Sequence, residues 1–179
     1  MGRLKFVNKK RRVLSLLLIS IVIVLSVLVS PSGSSFAAKD SCASPLFSSV
    51  LASLQAGTSV PLRLPLVVGD ASEEALYAEV VGVSRTRYAV RIGQYCERSY
   101  CPYGRVSGTK ISGRTLHPRG RVVELTGGIT AYLIDGTKTL KDSKITWEQG
   151  QYRYEISIYA AKPAILIKVA NSALSCDRR

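Results

Sequence analysis

Residues 144–160, KITWEQGQYRYEISIYA, constrain the fold of this chain more than any other stretch. Side chains along a β-strand alternate between two faces, so Tyr152, Tyr154, Ile156 and Ile158 fall on one of them. Gln149-Gly150 interrupts the run and reads as the tip of a hairpin. An apolar sheet face must be covered. The residues after Pro163 supply a cover, because Leu166, Val169, Ala170 and Ala173, with Leu174 just beyond, recur on one side of a helix.

Upstream signals extend this pattern. Ser44-Pro45 offers an N-cap and a first helical residue, and Leu46, Phe47, Val50, Leu51 and Leu54 repeat at helical spacing, so a helix is expected over 44–55. Val60, Leu62, Leu64 and Leu66 alternate with Pro61, Arg63 and Pro65, the mark of an edge strand or an extended segment. The runs at 75–84 and 87–95 read as a hairpin around Arg85-Thr86. Tyr88, Val90 and Ile92 share one face, and Arg87, Ala89 and Arg91 the other. From Gly104 to Gly120 the glycines predict a loop, with at most one short strand over 106–111. Residues 121–135 give one bent strand or two, bending at Gly127-Gly128, before a turn at Asp135-Gly136. The expected class is α+β: a curved antiparallel sheet of six to seven strands with an N-terminal and a C-terminal helix.

The first 37 residues read as a signal peptide or membrane anchor. Arg3, Lys5, Lys9, Lys10, Arg11 and Arg12 precede an uncharged run over 13–30 and a small-residue segment ending at Ala37. At ~1.5 Å per residue that run reaches ~27 Å, enough to cross a bilayer if it is not cleaved. In either form the rest of the chain lies outside the cytoplasm, because the basic flank stays inside. Residues 38–179 then form one extracytoplasmic domain, periplasmic or extracellular after cleavage and otherwise held at the inner membrane.

All four cysteines fall in that domain, and an even count in an exported chain reads as disulfides. Cys96 and Cys101 are close enough to staple a tight loop, which leaves Cys42 to join Cys176. A zinc site would need ligand pairs at shorter spacing, and a redox motif would need two intervening residues rather than four. No metal and no cofactor is expected.

The first 37 residues hold six of the 25 basic residues and none of the 12 acids, leaving 19 against 12 in the rest. Over 85–121 nine Lys or Arg face Glu97 alone. Tyrosines interleave with them, so Arg87, Arg91, Tyr95, Arg98, Tyr100, Tyr103 and Arg105 form a candidate ligand-binding face. Arginine and tyrosine side by side can grip anionic groups and stack on rings. The expected ligand is an anionic polymer or a lipid head group; nucleic acid is disfavoured, because export removes it from reach.

Catalytic signals are sparse. His117 is the only histidine, and no Gly-x-Ser-x-Gly elbow accompanies it. Ser107 and Lys110 have the spacing of a lysine-activated serine on a helix, but the two glycines around them disfavour one. No catalytic residue is assigned.

Trp147, Gly150, Tyr152 or Tyr154, Leu166, Ala170, Ser172 and Leu174 follow a recurrent order. It is a Trp-initiated strand, a Gly turn, a Tyr-containing strand and a helix ending Ala-x-Ser-x-Leu. In this the stretch resembles a C-terminal tail module of exported bacterial proteins with no established activity. The resemblance implies a sheet-plus-helix fold and an envelope location, not a reaction. The expected function is a non-catalytic binding or accessory domain of the bacterial envelope. The alternatives are a small envelope serine hydrolase or transpeptidase built on Ser107 and Lys110, and a structural subunit with an envelope protein partner.

Overall fold

The computed structural model describes residues 43–70, 73–96, 99–113 and 119–175, with only the backbone at positions 73, 96, 99 and 100. The apolar run at 13–30, Cys42, Arg98, His117 and Cys176 lie outside the described residues.

Ser44 caps the first helical segment. Its hydroxyl accepts a hydrogen bond from the Leu46 N–H at 3.2 Å, and Pro45 stands in the first turn, where a missing N–H costs nothing. A single 3-10 turn, Pro45–Phe47, leads into α1, Ser48–Gly57. The helix thus starts tighter and ends two residues later than the periodicity predicts. Residues 60–68 run extended without joining the sheet, and Val60, Leu64 and Val68 point into the core.

Seven strands follow: β1 Leu76–Ser84, β2 Arg87–Cys96, β3 Ser99–Lys110, β4 Arg121–Leu125, β5 Ile129–Ile134, β6 Asp142–Gln149 and β7 Tyr152–Tyr159. They form one antiparallel sheet in the order β1-β2-β3-β7-β6-β5-β4. This is two meanders joined edge to edge. The first runs β1-β2-β3; the chain then crosses to the far edge and returns through β4-β5-β6-β7 to pair with β3. A last helix, α2 Pro163–Leu174, packs against β4, β6 and β7, while α1 packs on β1. The architecture is α+β.

One face of the sheet is the core. Leu133, Ile145, Ile156, Val106 and Val90 stand directly opposite one another across five strands, all buried. Burying each such side chain contributes about 1.5–3 kcal/mol relative to leaving it in water. Next to this row lies another, Ala131, Trp147, Tyr154, Gly108 and Tyr88. The Trp147 and Tyr154 rings stack with centroids 5.5 Å apart. All five buried α2 residues are the ones its period predicts.

The same row corrects the start of the loop expected over Gly104 to Gly120: the short strand expected over 106–111 is present as far as Lys110, but it begins at Ser99. β3 is a twelve-residue strand inside the sheet, between β2 and β7. Its glycines are there for close approach, not for flexibility. A Cβ at position 108 would collide with the Tyr88 ring and come within 3.1 Å of the Tyr154 ring. One at position 104 would stand 2.6 Å from the Ser157 carbonyl oxygen. The β6–β7 turn also shifts by one residue: Gln149 pairs with Tyr152, so Gly150, at φ +59°, and Gln151 form the loop.

Polar side chains tie the covering layer down. The Ser172 hydroxyl accepts from the Leu66 N–H at 3.1 Å and donates to the Val169 carbonyl, fixing the extended segment on α2. Asn171 accepts from the Thr126 N–H at 2.8 Å and holds the β4–β5 turn. Fully buried Ser143 donates to the Ala161 carbonyl and accepts from the Gly136 N–H. Among the described residues no helix is long and apolar enough to cross a membrane.

Candidate functional site

The sheet's other face carries the charges. Glu79, Arg91, Arg105, Ser157 and Lys144 stand opposite one another in a single rung across β1, β2, β3, β7 and β6. Such partners have Cβ atoms about 4.5–5.5 Å apart. Two like charges, Arg91 and Arg105, are therefore held side by side, an arrangement that costs a strand pair stability unless something negative joins them.

Arg91 has such a partner in Glu79, whose carboxylate lies 2.9 Å from its guanidinium. Arg105 is exposed, and among the described residues no hydrogen bond or ion pair engages it. Elsewhere on this face two pairs form locally: Lys144 pairs with Glu155 at 3.0 Å, and the Arg153 Nε donates to Glu148 at 3.0 Å. The basic stretch seen in the sequence is thus not a uniformly basic surface, because Glu79 on β1 and Asp142 on β6 are brought against it.

Two β-bulges shape the surface around the arginine pair. Val80 pairs with Val90 but Gly82 with Ala89, leaving Val81 as an extra residue on β1. Ile92 pairs with Gly104 but Gly93 with Pro102, leaving Tyr103 extra on β3. An inserted residue bends its strand and opens the surface there. Val81 and Tyr103 both line one cleft of about 410 Å³, together with Arg91, Pro102, Gly104, Arg105, Asp142 and Ser157. The Asp142 carboxylate, also exposed, has no ion pair or hydrogen-bond partner among the described residues.

An aromatic ledge adjoins the cleft. Gly93 stands opposite Pro102 on one side and Tyr77 on the other, and a Cβ at position 93 would collide with the Tyr77 ring, which therefore lies over the glycine. Tyr77 packs against Tyr95 with centroids 5.1 Å apart and planes inclined by 44°. Tyr95 is 62% exposed.

The candidates named from the sequence are divided by this geometry. Arg91 and Arg105 meet at the cleft, and Tyr95 ends the ledge beside it. Arg87 is exposed on the same face but stands opposite Thr109, away from the cleft. Tyr103 lines the cleft, yet its hydroxyl donates to the Val68 carbonyl at 2.9 Å, anchoring the extended segment. Tyr100 pairs with Tyr95 through the backbone. Glu79, Tyr77, Val81, Pro102, Asp142 and Ser157 are additions. Counting back from the Arg85-Thr86 turn in an unbroken ladder would set Val80, not Glu79, against Arg91; the bulge shifts it. Only the aromatic and charge content of β1 hinted at these partners.

Elsewhere the chemistry is quieter. Ser107 and Lys110 lie three residues apart on β3, so they point to opposite faces of the sheet. Burial pushes the Tyr88 phenol well above its ordinary range, although its oxygen accepts from the Arg63 N–H at 3.0 Å. Hydrogen bonds from the Thr137 hydroxyl and N–H hold the Asp135 carboxyl below its usual value in a solvated turn. Among the described residues no three His, Cys, Asp or Glu side chains cluster as metal ligands. Cys101 is disulfide-bonded. A second groove, about 540 Å³ between Pro45, Leu46, Ser49 and the start of β1, has only Ser49, Glu74 and Tyr77 as polar lining side chains.

Comparison with protein-family models, curated proteins and solved structures finds no match for this chain. The residues themselves carry the functional argument.

Proposed function

We propose that this protein is an exported, non-catalytic binding or accessory domain of the bacterial envelope, and that it holds an anionic ligand in the cleft between Arg91 and Arg105. The observation that supports this most is the unspent charge of Arg105, set beside a second arginine in a recess formed by two bulges. An anion there relieves the like-charge contact and gains charge-assisted hydrogen bonds. The ligand presents its negative groups on a polymer or a lipid head group. Export follows from the basic and apolar order of the first 37 residues. Cys101, which is disulfide-bonded, takes Cys96 as its partner across the short β2–β3 connection on this reading. Cys42 then pairs with Cys176.

Binding of the exported protein to immobilised anionic polymer and to anionic vesicles, read against salt, tests the reading. Affinity should fall as salt rises, because surface charges are screened within ~8 Å at physiological ionic strength. Arg105→Glu should reduce it at least tenfold; binding unchanged by this substitution defeats the proposal. Intact mass and non-reducing peptide maps check cleavage after Ala37 and both disulfides. The opposite faces of Ser107 and Lys110 speak against the hydrolase alternative, and stoichiometric labelling of Ser107 by a serine-reactive probe would restore it.

A further inference from the structure

Resting on that reading, we infer that the ligand is a glycan carrying carboxylated sugars rather than a lipid surface or a polyphosphate. Three features of the open face point to sugar. The first is charge balance. Arg91 and Arg105 are flanked by Glu79 on one side and Asp142 on the other, so the two positive charges are matched by two negative ones and the cleft is not a strongly basic surface. A membrane of anionic lipids or a phosphate polymer presents closely spaced charges, and these would meet both carboxylates. A sugar chain spaces its carboxylates by whole rings and surrounds them with hydroxyls. Arg105 is matched to the carboxylate as a planar fork. Asp142 is matched to the hydroxyls, since a carboxylate can only accept hydrogen bonds at neutral pH.

The second feature is the ledge. Tyr77 lies over Gly93, and Tyr95 continues it outward, so an exposed aromatic surface begins where the cleft ends at Pro102. The C–H faces of sugar rings pack on aromatic rings, whereas phosphate groups gain nothing from them. Gly93 makes the ledge: any side chain there would lift the Tyr77 ring away from the sheet.

The third is alignment. Arg91, Gly93 and Tyr95 point to the same side of β2, and four residues of strand span about 13 Å. Cleft and ledge therefore form one track along β2, with the polar end at Arg91 and Arg105 and the stacking end at Tyr95. A linear oligosaccharide matches such a track, one carboxylated ring seated between the arginines and its neighbours on the tyrosines.

Retention of the full exported protein should be compared on polygalacturonate, alginate and hyaluronate, on fully methyl-esterified polygalacturonate, on phosphatidylglycerol vesicles and on inorganic polyphosphate. The inference expects binding to at least one carboxylated glycan, loss of about tenfold or more with Arg105→Glu, and no binding to the esterified form. Tyr95→Ala should weaken glycan binding roughly three- to tenfold while leaving its salt dependence unchanged. That residue is exposed, so its loss leaves the fold intact, as a circular dichroism melt would verify. Binding to vesicles or polyphosphate but to none of the glycans overturns the inference and leaves the anion-binding reading standing. Binding to none of the probes overturns both. Glycan binding that survives Tyr95→Ala and Tyr77→Ala undiminished removes the ledge from the site.

Discussion

The two meanders share one covered core but differ on their open faces. In β4–β7 the ladder runs without a shift from Ala131–Trp147 to Trp147–Tyr154, and the charges close on themselves as Lys144–Glu155 and Glu148–Arg153. In β1–β3 the ladder breaks twice, at Val81 and at Tyr103, and Arg105 has no ion pair or hydrogen bond among the described residues. Regular pairing spends a strand's polar groups on its neighbours; a bulge withholds some of them. On the proposed function the ligand engages Arg105 of the irregular half, and Asp142 of β6 joins it from the regular half.

That contrast is broken hardest by Trp147→Ala. Removing a fully buried indole from the regular half should cost about 3–5 kcal/mol, read by urea unfolding. Trp147→Phe should cost far less, since the buried indole N–H has no hydrogen-bond partner among the described residues. Next comes Gly108→Ala at the seam between the halves. The added methyl must displace the Tyr88 ring, and overpacking of this kind costs about 1–3 kcal/mol. A neutral result there would mean the glycine is not holding space for the tyrosines.

Tyr88→Phe removes the acceptor of the Arg63 N–H and should cost about 1 kcal/mol at neutral pH. Its pH dependence is the sharper reading. The buried phenol keeps its proton to higher pH than in the unfolded chain, so its contribution is complete below pH ~10 and is lost as pH climbs beyond that. The variant's stability should accordingly fall less steeply than the wild type's in alkaline solution. Smallest is deletion of Val81. The registered pairs on either side are already in step, so β1 and β2 stay matched without it. Stability should change by no more than about 1 kcal/mol, since a bulge is an interruption of pairing. The cleft should flatten and binding fall with it; retained affinity would show that the bulge does not shape the site.

Much of the frame was legible in the sequence. The alternation of Tyr88, Val90 and Ile92, that of Tyr154, Ile156 and Ile158, and the five apolar positions of α2 all report burial directly, because each lies in one continuous element with one period. Gly104 and Gly108 hid β3, since a strand glycine carries no signal of its own; its reason is a ring on the neighbouring strand. The candidate site was half legible. Arg91, Arg105 and Tyr95 stand in one basic, tyrosine-rich stretch and invite attention. Asp142 comes from a strand far along the chain, and only a shifted register sets Glu79, on the neighbouring strand, against Arg91. Counting charges along the chain misjudges a sheet face, because its neighbours are chosen across strands.

The joining of β3 to β7 also bears on the order in which the chain can fold. β3 obtains its second neighbour only from the pairs between Gly104–Ile158 and Lys110–Tyr152, so its far side stays uncovered until β7 arrives. Pairings this distant in sequence form slowly, after the local hairpins. A chain cut short before residue 152 would keep its first meander yet expose the middle strand as a bare edge, ready to recruit another copy. The docking of β7 on β3 is thus the step that turns two hairpin stacks into one sheet.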